Sequence, residues 1–465
     1  MTSKGELEAA MGDVSNSAMT GRPVIAATLV AASPIFWTME RRGDGWGFGW
    51  HYGIFAILIG WYLRMLLRSN PAATLSSFYQ LWAGLGMLLS AAVIASGAEM
   101  IEIREIGTAN GVFWLMLAFF VIGIEATFLG FRYGRVVRLP LPALKLPTWL
   151  DQTFMLALVL PAMVMSIYVF ALTGGPILRG IDRLTFWRSV APAGTSLLPS
   201  LINQTFFFVA VLYIWKARIS GSMLLPGLLL SGYVIVGLLV LGEKLSLFII
   251  FLSIWLMVLI GIRPKFRFRG RHFLVFCGVL GLLLVVVAVS YIANGQEAAF
   301  VLVRGALQAQ LLWSVAETSL NGQLPPLRPE CYFGCNWFVS GADYISYTYL
   351  PTGLYDYYSE RSNTLSGFMP ALPILTFGIP VTLLLHVTVG FISGVLQRKI
   401  TTALNRNQPI YGFLLFKLHF AFTLIWFAAQ QAAIPGALVV IAAILLYRMA
   451  SGTQKGRSHN SSWGA

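Results

Sequence analysis

The side chains of this chain whose chemistry could go beyond packing are cationic and aromatic groups that stand outside its apolar stretches. Arg179, Arg183 and Arg188 crowd one polar segment, 174–199, while Arg304 and Arg361 belong to a longer one, 295–371. Lys244 sits in a third place, the turn Gly242-Glu-Lys between two apolar runs. A guanidinium stays charged at any relevant pH and forks onto paired oxygens, so arginines converging at a membrane surface suit a phosphate or diphosphate group. Gln308 and Gln310 follow Arg304 at spacings of four and six. The first shares the helical face of Arg304 and could bond a sugar or a phosphate. Seven of the 17 tyrosines fall between positions 332 and 358, with Phe333, Trp337 and Phe338 among them. Aromatic faces such as those of Tyr344 and Trp337 suit the apolar sides of sugar rings, and also the interfacial belt that membrane proteins carry. For proton transfer from an attacking hydroxyl, the candidates are Asp343, Glu317 and Glu360, with His51 the one histidine near the outer side.

Other chemistries lack their residues. No Gly-x-x-x-x-Gly-Lys-[Ser/Thr] loop occurs, which argues against ATP-driven pumping by this chain, and no His-Glu-x-x-His occurs. Five histidines and three cysteines are scattered, so no metal site and no cofactor is expected. Within the apolar runs, Glu125 lies about two helical turns before Arg132, the spacing of a snorkelling pair at an interface.

The elements that must position these groups are membrane helices. The chain is 57% hydrophobic and only 11% charged, against roughly a quarter charged in soluble domains. At about 20 apolar residues per crossing, about twelve spans are expected. They centre on 23–39, 50–66, 78–98, 111–130, 153–172, 201–215, 223–241, 245–262, 273–293, 372–396, 413–429 and 435–447. Lysine and arginine mark cytoplasmic loops, and the run Arg263-Pro-Lys-Phe-Arg-Phe-Arg-Gly-Arg271 is read as such a marker, not as a nucleic-acid patch. The net charge of +14 has the same origin. The expected architecture is an all-α polytopic protein of the bacterial inner membrane with both termini cytoplasmic. A cytoplasmic tail (1–22) leads into nine helices (23–294) with the arginine-bearing periplasmic loop 174–199. The large periplasmic loop 295–371, helices ten to twelve (372–450) and a second cytoplasmic tail (451–465) follow. The large loop should open with an amphipathic helix over 297–317 along the outer membrane surface. Cys331 and Cys335 in that loop should pair in an oxidising compartment, leaving Cys277 reduced.

With its loops placed in this way, the chain resembles the bacterial O-antigen polymerases, which join lipid-linked oligosaccharide repeat units. That family has ten to fourteen spans and two large periplasmic loops, after the fifth and ninth helices, each with an arginine followed by ten residues and a glycine. Here the first loop reads Arg183-Leu-Thr-Phe-Trp-Arg-Ser-Val-Ala-Pro-Ala-Gly194, which has the spacing. The second holds Arg304 near its start, but position 315 is Val315, a departure from the pattern. The Gly242-Glu-Lys244 turn and the stretch from Pro370 to Gly378 entering the tenth span add to the likeness. The resemblance implies a metal-independent, inverting glycosyltransferase of lipopolysaccharide or exopolysaccharide biosynthesis. Its donors and acceptors would be undecaprenyl-diphosphate-linked oligosaccharides, and it would work beside a chain-length regulator and a flippase. Arg304, Arg183, Asp343 and Glu317 would then be catalytic. Arg188, Arg179, Lys244, Gln308, Gln310, Arg361, Trp337 and Tyr344 would bind substrate. An O-antigen ligase-like transferase and a polysaccharide flippase or transporter are the alternatives.

Overall fold

The computed structural model describes residues 22–31, 50–95, 112–137, 148–181, 183–195, 310–335, 340–360, 370–406, 408–426 and 437–446, with isolated positions between them. Among these the protein is α-helical and has no strand; Cys335 and Phe338 form one isolated bridge. The apolar runs become α1 (Arg22–Ala31), α2 (Trp50–Ser69), α4 (Phe78–Ala95), α5 (Val112–Tyr133) and α6 (Thr148–Thr173). Later in the chain come α10 (Ala371–Asn405), α11 (Pro409–Trp426) and α12 (Ala437–Leu446). Among the described residues, three stretches are long and apolar enough to cross a membrane, Val112–Tyr133, Leu160–Leu178 and Ala371–Ala403. The chain is therefore a helical membrane protein. The expected spans at 201–215, 223–241, 245–262 and 273–293 lie almost wholly outside the described residues.

The chain divides into two compact units. One comprises Met1–Tyr133, Gly305–Val395 and Phe422–Ile434, the other Gly134–Arg304, Leu396–Ala421 and Pro435–Ala465.

In the first unit, Asn70-Pro71 breaks α2 from the short α3 (Pro71–Ser76). Proline cannot donate inside a helix but is tolerated at its first position, and the Asn70 side chain accepts from the Ala73 amide at 3.1 Å. The centre of this unit is the crossing of α5 and α10. A Cβ added at Gly130 would run into the Phe391 carbonyl, one at Gly394 into the Thr127 carbonyl, and one at Gly390 would lie 2.8 Å from the Gly123 carbonyl. Gly390 and Gly394 form a Gly-x-x-x-Gly pair, whose missing side chains let two backbones meet. Gly123 leaves room for His386, whose Nε2 donates to the Phe119 carbonyl at 2.8 Å. Gln80 of α4 donates to Ser393 of α10, and the Phe120 ring of α5 lies on Gly84. At Gly378, with φ 79° and ψ 169°, the helical path of α10 breaks, two residues before Pro380.

Over this helix group sits a cap of α7 (Gln310–Leu320), a 3-10 turn (Pro329–Tyr332), α8 (Gly341–Tyr349) and α9 (Thr352–Glu360). Residues 310–317 of α7 are all buried. The described part of the expected surface helix is thus an interior helix, not one lying with a polar face in water.

In the second unit, α6 ends at Gly174 and Gly175, both at positive φ (72° and 76°). A short helix, Gly175–Leu178, follows, then a turn of helix at Arg183–Thr185 that runs into a π-helical segment, Phe186–Val190.

Candidate functional site

The cap of the first unit gathers the aromatic residues. A disulfide joins Cys331 to Cys335, the pair expected from the sequence, with Cα atoms 4.6 Å apart. It closes the turn that carries Tyr332 and Phe333, whose rings meet edge-on at 5.0 Å. Tyr332 also reaches Phe377 of α10 at 5.3 Å, and a Cβ on Gly341 would strike the Tyr332 carbonyl, so α8 begins flush against this turn. Ser340 caps α8 by accepting from the Asp343 amide at 3.1 Å. Phe338 then packs on Tyr344 at 5.4 Å and on Tyr347 at 5.0 Å, and Tyr347 meets Tyr355 edge-on at 5.2 Å.

Two polar contacts tie this stack together. The Tyr355 hydroxyl donates to Asp343 Oδ1 at 3.0 Å, and the hydroxyls of Thr318 and Tyr349 lie 2.7 Å apart. Burial pushes the Tyr349 phenol up to about 12. Tyr355 is raised too, by burial first and then by its bond to the Asp343 carboxylate, and Tyr344 is raised by burial. All three therefore stay neutral near pH 7. Asp343, half-buried at the first turn of α8 beside a row of rings, is a carboxylate placed where a sugar could stack and a hydroxyl could be held.

The arginine segment of the second unit has a defined geometry. Phe186, fully buried, anchors it, and Trp187 lies edge-on to Phe186 at 5.4 Å. Arg179 and Arg183 are exposed. The glycine that closes the Arg-x10-Gly spacing, Gly194, stands at φ +83° with open space where a Cβ would be. Its requirement is thus one of backbone conformation, met by the turn in which the Thr195 amide donates to the Pro192 carbonyl at 3.1 Å. Gly242, at φ +68°, leaves room for Pro176 and Arg183: a Cβ there would lie 2.8 Å from Pro176 Cγ and 3.4 Å from Arg183 Cβ. The Gly242-Glu-Lys turn therefore starts against the arginine segment.

Of the residues singled out from the sequence, the structure brings Arg183 and Gly242 into contact, and Asp343 and Tyr344 into one aromatic cap. Gln310 and Glu317 are buried in α7, at 1% and 8% exposure, and face the interior of the first unit. Arg188 lies in the π-helical segment, His51 in the first turn of α2 and Glu360 at the end of α9. Arg304, Gln308, Lys244, Trp337, Arg361 and Cys277 lie outside the described residues. Among the described residues, no three His, Cys, Asp or Glu side chains come together as a metal site would require.

Sequence reasoning missed several groups. Glu125 pairs not with Arg132 but with Arg22, at 2.8 Å, and accepts from Tyr62 at 2.8 Å. The signal for Arg22 was slight: an arginine just before the proline that opens an apolar run. Thr318 and Tyr349 carried none. Two cavities also lie in the first unit. One of about 130 Å³ runs between α4, α5 and α10 beneath Leu312 and Pro370, and is apolar apart from Gln80, Thr127, His386 and Ser393. The other, of about 610 Å³, lies beside Arg22 and Glu125. Comparison of the chain with known protein families, characterised proteins and solved structures finds no match.

Proposed function

We propose that the protein polymerises lipid-linked oligosaccharide repeat units into O-antigen or a related surface polysaccharide, as an inverting, metal-independent glycosyltransferase. In this reading about twelve spans thread the bacterial inner membrane with both termini cytoplasmic, and segments 174–199 and 295–371 face the periplasm. The observation that supports it most is the packing of Gly242 against Arg183, which sets the start of the lysine turn beside the arginine segment.

A hydroxyl of the incoming unit attacks the anomeric carbon of the growing chain from the face opposite the lipid diphosphate. The new carbon–oxygen bond forms as the bond to the diphosphate breaks, and the hydroxyl proton passes to a carboxylate base. The electron pair leaves with the diphosphate, where Arg304 and Arg183 stabilise the developing charge and Arg179, Arg188 and Lys244 hold the ground-state anion.

The experiment is the length distribution of surface polysaccharide in cells expressing variants at equal membrane abundance. Arg183→Ala and Arg304→Ala should each slow chain growth roughly a hundred- to a thousandfold, about 2.7–4 kcal/mol, as when an oxyanion donor is removed. Arg304→Lys keeps charge but not the fork, and separates a point-charge role from a two-pronged one. Long chains persisting in both alanine variants would sink the proposal.

A further inference from the structure

The larger cavity of the first unit lies toward the far end of α5 from the cap: Met116 lines the cavity that reaches under Leu312, whereas Arg132, roughly 24 Å along the helix, lines this one. Its walls are apolar, from Pro23, Ala26 and Val30 of α1 and Val121 and Leu129 of α5. Leu129 and Val387 are also 49% and 38% exposed, so the cavity opens sideways at a surface of apolar side chains. Its polar end is built from charged groups whose bonding is uneven. Both oxygens of Glu125 are taken, Oε2 by Arg22 Nη2 and Oε1 by the Tyr62 hydroxyl, each at 2.8 Å. Arg22 Nη1 donates to Ser69 at 3.4 Å, and the guanidinium lies over the Phe128 ring at 4.9 Å.

What remains there is donors. Arg22 Nε is buried with no hydrogen-bond partner among the described residues. Asn70 uses its Oδ1 on the Ala73 amide, and its NH2 group meets no acceptor among the described residues. Arg132 is exposed and pairs with none of the described residues. Among the described residues that line the cavity, two guanidinium groups stand against one carboxylate, so this lining is net cationic and short of acceptors. An unmade bond to a buried charged donor is costly, and an anion with several oxygens relieves it. Apolar walls leading from such an end toward the bilayer fit a ligand that is anionic at one end and hydrocarbon at the other.

We propose that this cavity binds one anionic phospholipid, with Arg22 Nε, Arg132 and the Asn70 NH2 group on its phosphate and its acyl chains along α1 and α5. The site is independent of the polymerase reading, since none of its residues belongs to the proposed catalytic or sugar-binding set.

The test is native mass spectrometry of the full-length protein released from detergent with phosphatidylglycerol or with phosphatidylcholine of the same chains. The wild type should retain one phosphatidylglycerol at least about tenfold more strongly than phosphatidylcholine, the scale of charge-assisted contacts. Arg132→Gln should remove most of that preference, and because Arg132 is exposed and pairs with none of the described residues the fold should survive. Arg22→Gln should also weaken binding but breaks the Glu125 pair. Glu125→Gln, which removes the opposing carboxylate, should keep or tighten binding. Equal retention of the two lipids, or a preference unchanged in Arg132→Gln, would overturn the proposal. So would displacement of the lipid by inorganic phosphate alone, which would assign the cavity to a free anion. If phosphatidylglycerol binds only after residues 1–20 are deleted, the chain's own N-terminal segment fills the cavity and the lipid assignment falls.

Discussion

The crossing of α5 and α10 is built by leaving side chains out, and the cap above it by putting large ones in. At the crossing, Gly130, Gly390 and Gly394 let backbones meet, and Gly123 makes room for the His386 ring. In the cap, Tyr332, Phe338, Tyr344 and Tyr349 fill the interior, and a disulfide closes the turn between them. In the proposed topology the crossing lies in lipid and the cap outside it, and the difference then follows from the solvent each region displaces. Between helices in lipid, burying a leucine gains little, because the alternative surroundings are equally apolar, so close contact and backbone approach must hold the pair. In water, each large side chain removed from solvent contributes about 1.5–3 kcal/mol, and bulk becomes the economical means.

That contrast predicts opposite responses to added volume. Gly394→Leu should have the largest effect, at least about 3 kcal/mol, since the new side chain meets the Thr127 carbonyl and the Phe131 amide instead of a flexible group. Gly86→Leu on α4, where a Cβ meets nothing within 4 Å, should be close to neutral. Thermal unfolding of both in detergent would break the comparison if they behaved alike.

Removing the cap's cross-link should come next. By loop-closure entropy for so short a loop, Cys331→Ser should cost about 2 kcal/mol, and it should leave the helix crossing folded. Alkylation sharpens the point: neither loop cysteine should label in the intact protein without reductant. Labelling of both would remove the bridge.

A smaller effect concerns Tyr349. Its phenol is neutral and buried, with a folded value of about 12 against the ordinary 10.0. The proton is held more tightly in the folded state, so the contribution to stability is complete below pH 10.0 and is lost as pH rises toward about 12. Alkaline titration of tyrosinate absorbance beside cap unfolding would show it, and Thr318→Val should weaken the cap by about 1 kcal/mol at neutral pH. The smallest change is expected of Tyr355→Phe. It removes a bond to the half-buried Asp343 and should cost about 0.5 kcal/mol, while exposing that carboxylate to solvent.

Much of the helical layout was legible because hydrophobic runs are a local property. The expected stretches 50–66, 78–98, 111–130 and 153–172 coincide within a few residues with α2, α4, α5 and α6. The partner of Glu125 was not legible. The sequence offers Arg132 on the same helix, but Arg22, 103 positions away, is the residue that reaches it. The aromatic cluster announced an ordered loop, yet nothing in its spacing said that Asp343 would receive the Tyr355 hydroxyl or that Glu317 would be buried.

Composition and periodicity alone determined that this is a helical membrane protein, since any segment poor in charge and rich in apolar side chains must satisfy its backbone within itself in lipid. Two cysteines in a polar loop read as facing an oxidising compartment were enough to expect a short cross-link. Only the tertiary structure decided which glycines carry backbone contacts and which face open space, for Gly86 and Gly394 look the same in the sequence. It alone decided which cations meet which anions, because Coulomb attraction depends on distances that the fold sets and the order of residues does not.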